Sequence, residues 1–97
     1  HWSPRTVAEY TGHDVMVVKV QGEYQWHSHA DTDDFFLVLQ GELQIDLRDG
    51  QERTVSLGPG QTFIVPKGVE HRPRACCSAV CSTTRVRWAS TRCGWRA

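Results

Sequence analysis

The 97 residues amount to one domain near the lower end of the usual size range, where folding buries a modest share of the surface and a second subunit or a bound metal adds useful stability. Net charge is zero, yet residues 1–70 hold all eleven acids against five Lys and Arg, a net of −6, while residues 71–97 hold six Arg, all four Cys and no acid. No run approaches the roughly 20 apolar residues of a membrane span, so no membrane partner is expected, and with no secretory leader visible after His1 the cytoplasm is the default location.

Ser3-Pro4 opens the chain in an extended or turn conformation, followed by a short strand over "TVAEY". "DVMVVKV", Asp14 to Val20, is rich in β-branched residues and too short for a helix, so a strand is expected there. After a break at Gly22, "EYQWHSH" alternates, which puts Tyr24 and Trp26 on one face of a strand and His27 and His29 on the other. "ADTDD" reads as a turn, and "FFLVLQGELQIDL" as two strands parted at Gly41. Asp49-Gly50 in "RDGQ" is a strong hairpin signal leading to "ERTVSL"; "GPGQ" and "KGVEH" are turns on either side of the strand "TFIVP", and another strand starts at His71. About seven short strands at 8–12-residue spacing, with no helical periodicity, predict an all-β sandwich or barrel.

His27 and His29 share a strand face. Isolated imidazoles facing a barrel interior lose solvation without gaining partners, and a metal ion with a nearby carboxylate resolves that cost. The plainer alternative is a surface strand carrying two solvated histidines. The surrounding spacing adds to the first reading: Gly22, four residues, His27-x-His29, four residues, Asp34, six residues, Gly41, and then Gly60, five residues, Pro66-x-Gly68, two residues, His71.

With these two blocks in order, the chain resembles the cupin superfamily, whose motifs are G-x5-H-x-H-x(3 or 4)-E-x6-G and G-x5-P-x-G-x2-H-x3-N. The resemblance covers Gly22 to His71 and implies a small double-stranded β-helix, or jelly-roll barrel, of the single-domain kind. It implies His27, His29, Asp34 and His71 as ligands of one divalent transition metal; Mn, Fe, Ni and Zn all suit the set. The sequence departs from the motifs in having a first spacer one residue short, Asp34 where the family has Glu, and Ala75 in place of the closing Asn. A turn carboxylate capping backbone N–H groups is the other reading of Asp34, and an exposed turn histidine beside Glu70 that of His71.

Phe35, Leu37 and Leu39 alternate with Phe36, Val38 and Gln40, so this strand is apolar on both faces; the outward face calls for cover by a second subunit, and a homodimer is expected, with Tyr24 and Trp26 available to the same interface. Residues 1–75 are read as the barrel and 76–97 as an atypical Cys/Arg-rich tail in which only "TRVRWA" alternates. A zinc or disulfide site among Cys76, Cys77, Cys81 and Cys93, or a nucleic-acid face with Trp88 and Trp95, fits this tail less well than a shifted reading frame in a GC-rich gene, which favours Arg, Cys, Trp, Ser, Thr, Ala and Gly and replaces the last barrel strands; no nucleic-acid partner is expected. The activity expected is that of a metal-binding cupin acting on a small oxygen-rich molecule, as a sugar-phosphate isomerase-like or dioxygenase-like enzyme. The alternative is a non-catalytic small-molecule or sugar sensor.

Overall fold

The computed structural model describes residues 4–86. Within them the chain forms seven strands and no helix: β1 Arg5–Tyr10, β2 His13–Glu23, β3 Asp34–Gln40, β4 Leu43–Arg48, β5 Glu52–Leu57, β6 Thr62–Val65 and β7 Glu70–Val86. Every pairing is antiparallel. The expected all-β jelly-roll barrel is the architecture found, and no helix of the described residues is long and apolar enough to cross a membrane.

The barrel is organised around β7. One edge of β7 pairs with β2 from His13↔Val86 to Glu23↔Arg74. Its other edge is shared, with Glu70 to Arg74 on β4 and Val80 to Thr83 on β3. β7 is therefore the branch point of one seven-stranded sheet, between the path β1-β2-β7-β3-β6 and the branch carrying β4 and β5. The passage between them is a bulge: Val20 pairs with Ala79 and Gly22 with Ala75, so residues 76–78 lie opposite Gln21 alone, and Gly22 takes a φ of 82°.

Alternation places Met16, Val18 and Val20 of β2 inward with Phe36 and Val38 of β3, and Leu43, Ile45 and Leu47 of β4 complete the core. The Asp49-Gly50 signal is a tight hairpin, with Arg48 opposite Glu52 and Gly50 at a φ of 110°. Gly41 has a stricter reason to be glycine. Its φ is 83°, and a Cβ there would lie 2.6 Å from the Ser78 carbonyl oxygen and 2.9 Å from the Ala79 Cα, because the β7 bulge passes directly behind it.

One expectation is modified. "EYQWHSH" is not a regular strand; β2 ends at Glu23, and beyond it the backbone keeps Tyr24 N–H to Pro73 O, a two-way bridge between His27 and His71 and Gly68 N–H to His29 O. Within the Cys/Arg-rich stretch, residues 76–86 carry β7 onward, with Ala79, Cys81 and Thr83 buried. Small side chains suffice there because β2 and β3 flank them on both edges. Residues 87–97, with Cys93 and the Trp88 and Trp95 readings, and the turn at Ser3 lie outside the described residues.

Outside the barrel, Val15, Val17, Phe35 and Leu37 are half-buried, Leu39 and Ile64 are 48% and 47% exposed, and every residue of β1 is exposed, Val7 at 62%.

Candidate metal centre

The ligand residues come from three places that the fold makes neighbours. His27 and His29 lie on the segment leaving β2, Asp34 is the first residue of β3, and His71 is the second residue of β7. The bridge between His27 and His71 sets the first and last side by side, His27 N–H to His71 O at 3.0 Å and His71 N–H to His27 O at 2.8 Å. The turn of the second motif is clipped to the first: Gly68 N–H donates to His29 O at 2.8 Å, and Lys67 N–H donates to Asp33 Oδ1 at 3.0 Å.

His27, His29, Asp34 and His71 each offer one ligand atom, and these four atoms lie within 4.8 Å of one another. The rings are oriented from behind. His27 Nδ1–H donates to Gln25 O and His71 Nδ1–H to Val69 O, both at 2.9 Å, which turns each Nε2 toward the cluster. His71 Nε2 is 2.9 Å and His29 Nε2 3.2 Å from the same oxygen, Asp34 Oδ2. With its Nδ1 proton committed, a neutral His71 presents a lone pair to that carboxylate oxygen. The contact therefore needs a further proton or a cation between the two groups.

His27 Nε2 points the same way. It is buried with no hydrogen-bond partner, a state that only one other side-chain atom among the described residues shares, Arg85 Nε. Orphaned buried polar atoms call for an explanation. A divalent cation accepting the His27, His29 and His71 nitrogens and the Asp34 oxygen supplies one, and this donor set fits it.

The electrostatics keep these groups in ligand form. Burial on its own would raise the Asp34 carboxyl, which is 2% exposed, but the bonds from His29 and His71 hold it down to about 2. For His27 burial lowers the pKa, and the adjacent His71 and His29 add to the effect, so the ring stays neutral and its nitrogen available. Thr83, fully buried, turns its hydroxyl toward Asp34 Oδ1 at 3.5 Å.

All four residues singled out from the sequence meet at one point, and His13 does not join them: its Nδ1–H donates to Thr11 O. Thr83 and Asp33 were missed as neighbours of the site. Thr83 sits in the Cys/Arg-rich stretch, where nothing in the local pattern marks it; Asp33 lies in the turn "ADTDD", and its bond to Lys67 depends on a residue 34 positions away. On the outer face Trp26 lies beneath Arg48 and Arg72, whose guanidinium carbons stand 3.7 and 5.0 Å from its ring centre, while Tyr24 sets its ring against that of His27. Cys76, Cys77 and Cys81 are free thiols, and the His/Asp group is the one metal-capable cluster of three or more such residues among those described.

The family model described as "Cupin domain" matches residues 14–84. The Bacillus subtilis (strain 168) protein YdbB, described as uncharacterized, is 40% identical over 70 residues, 72% of this chain and 60% of its own length, so the chain spans about three-fifths of that relative. The crystal structure of a cupin-2 domain containing protein from Shewanella frigidimarina NCIMB 400 matches with a TM-score of 0.84 and 44% identity, over 90% of this chain and 82% of that one. At 19% identity, hydroquinone 1,2-dioxygenase PnpCD in complex with Cd2+ and 4-hydroxybenzonitrile matches with a TM-score of 0.75 over 88% of this chain and 64% of that one, a likeness of fold alone.

Proposed function

Because the chain belongs to the cupin domain family, we propose that it holds one divalent transition metal through His27, His29, Asp34 and His71 and acts at that centre on a small oxygen-rich molecule. The observation that carries this reading is the His27 Nε2 lone pair, buried without a partner and aimed where two further imidazole nitrogens and a carboxylate converge. When bound, such an ion supplies Lewis acidity or oxygen activation, and Mn, Fe, Ni and Zn all suit the donors. Gln25 and Val69 carbonyls hold the imidazoles in the ligating tautomer, Asp34 contributes one negative charge, and the surrounding core, with Val20, Phe36, Ile45 and Val65, excludes water.

Two enzyme classes fit: a dioxygenase, which the fold shared with a Cd2+-bound hydroquinone dioxygenase supports, and an isomerase of the sugar-phosphate kind. The non-catalytic sensor is the second reading; in its favour, the buried groups beside the ligands are weak proton donors, the Thr83 hydroxyl on Asp34 and the Cys81 thiol, which burial pushes up to about 12. Metal analysis tests the centre. Protein never exposed to chelators should carry close to one equivalent, His27→Ala should lose most of it and His13→Ala none. Less than about a tenth of an equivalent in the wild type, or equal loss in both variants, sinks the assignment. Oxygen uptake and isomer formation over a substrate panel then separate enzyme from sensor.

We also propose a homodimer, formed by the half-buried outer face of Val15, Val17, Phe35 and Leu37 with the exposed Leu39 and Ile64.

A further inference from the structure

The second orphaned atom lies on β7, the strand that also carries His71 and Thr83 of the first site. Along β7 the residues Cys81, Thr83 and Arg85 share the inner face: Cys81 belongs to the core and Thr83 touches Asp34. Phe36 pairs with Thr83, and carrying that register two residues further sets Arg85 across from Asp34. On the other side Arg85 pairs with Asp14, itself on the inner face of β2 with Met16 and Val18. One end of the Arg85 guanidinium is engaged, NH2 donating to Asp14 Oδ2 at 3.3 Å, but the Nε–H is buried and has no acceptor. A guanidinium donor without an acceptor, next to a metal-capable cluster, is a binding group awaiting an oxygen atom.

We propose that Arg85 anchors the carboxylate of the ligand while a second oxygen of the same molecule binds at the His27, His29, Asp34 and His71 centre, so that the ligand class is a small hydroxy- or oxo-carboxylate. The inference rests on the metal reading above. Reach supports it: Thr83, two strand positions or about 6.5 Å along β7 from Arg85, already touches Asp34 Oδ1 at 3.5 Å. Charge supports it as well. A divalent ion with Asp34 leaves one positive charge, and the Arg85–Asp14 pair adds none, so one monoanion neutralises the pocket. A phosphate group, carrying about −1.5 to −2 near neutrality, would leave surplus negative charge against apolar walls. Among the described residues the other arginines outside β1 are committed elsewhere: Arg48 to Glu52 and Glu70, Arg53 to Asp49, Arg72 and Arg74 to Asp46.

The test loads the full chain with cobalt(II), whose visible spectrum reports on its ligands, and titrates it with lactate, with propane-1,2-diol as the neutral analogue, and with inorganic phosphate. Lactate should perturb the spectrum and bind about 10- to 100-fold more tightly than the diol, and Arg85→Gln should abolish that advantage with cobalt content unchanged. Arg85→Lys, which keeps the charge and loses the fork, should restore part of it. Equal binding of lactate and diol, tighter binding of phosphate than of lactate, wild-type lactate affinity in Arg85→Gln, or loss of cobalt from that variant overturns the proposal while leaving the metal centre standing. Failure of the wild type to take up cobalt overturns both.

Discussion

Asp34 Oδ2 meets two histidine nitrogens while its partner oxygen meets Thr83, so a single carboxylate ties β3 to β7 and to the segment leaving β2. Its neighbour Asp33 does a different job with the same chemistry, tying the turn at Lys67 to the segment that carries His29. Asp33→Ala should therefore weaken metal binding about tenfold with all four ligands intact, and Asp33→Asn, whose amide oxygen can still accept, should recover most of it; competitive titration with a chromogenic chelator measures both. On the outer face, Asp46 would be raised by burial but is held down to about 2, from an ordinary 3.8, by bonds from Arg74, Thr54 and Arg72. A carboxylate depressed by folding contributes stability above its unfolded pKa, and that contribution disappears as pH falls through the folded value. Asp46→Asn should thus cost about 1 kcal/mol at pH 7, a figure kept low because the arginines are partly in solvent. The gap in urea midpoint between variant and wild type should close between pH 4 and pH 2; a gap that persists at pH 2 would mean packing, not charge, is responsible.

Elements whose signals are local were legible: the Asp49-Gly50 hairpin, the alternation of β4, and the β-branched run of β2 all stand where the residues indicate. The candidate site was legible for a similar reason, since fixed spacings bring His27, His29, Asp34 and His71 to strand ends that the fold juxtaposes. What could not be read was pairing between distant segments. Residues 75–84 of β7 are Ala, Cys, Ser and Thr apart from Val80, so hydrophobic patterning is faint there, and the stretch is a strand because β2 and β3 flank it, not because of its own composition. The same bulge gives Gly41 its constraint. Gly41→Ala must adopt a positive φ and also push back Ser78 and Ala79, so a cost of about 2–4 kcal/mol is expected. Gly60→Ala has a matching φ of 82° but open space, and should cost about 1 kcal/mol. Chemical denaturation of the two variants checks the difference, and equal losses would show that conformation alone matters.

For the whole molecule, the outer surface of the sheet bearing β3 and β6 is where association is expected. Leu39→Glu and Ile64→Glu together should shift the protein to a monomer in sedimentation with metal content retained; an unchanged dimer would place the interface elsewhere. The reading-frame proposal for the C-terminal stretch has its own check, because the gene, read in the shifted frame, must be open and encode a strand-like ending. The family match through residue 84 and the pairing of β7 through Val86 mean that any such replacement has left these residues compatible with the barrel. The pairing of β7 with three other strands also has a bearing on biosynthesis. Chains emerge at about 5–20 residues per second, and β2 leaves the ribosome well before its main partner, whose first residue is Glu70. Until then the inner edge of β2 is unpaired and three of the prospective metal ligands wait for the fourth, His71, so closure of the barrel and capture of the ion both wait for β7 to emerge, and the nascent chain is open to chaperones and to competing metals until it does.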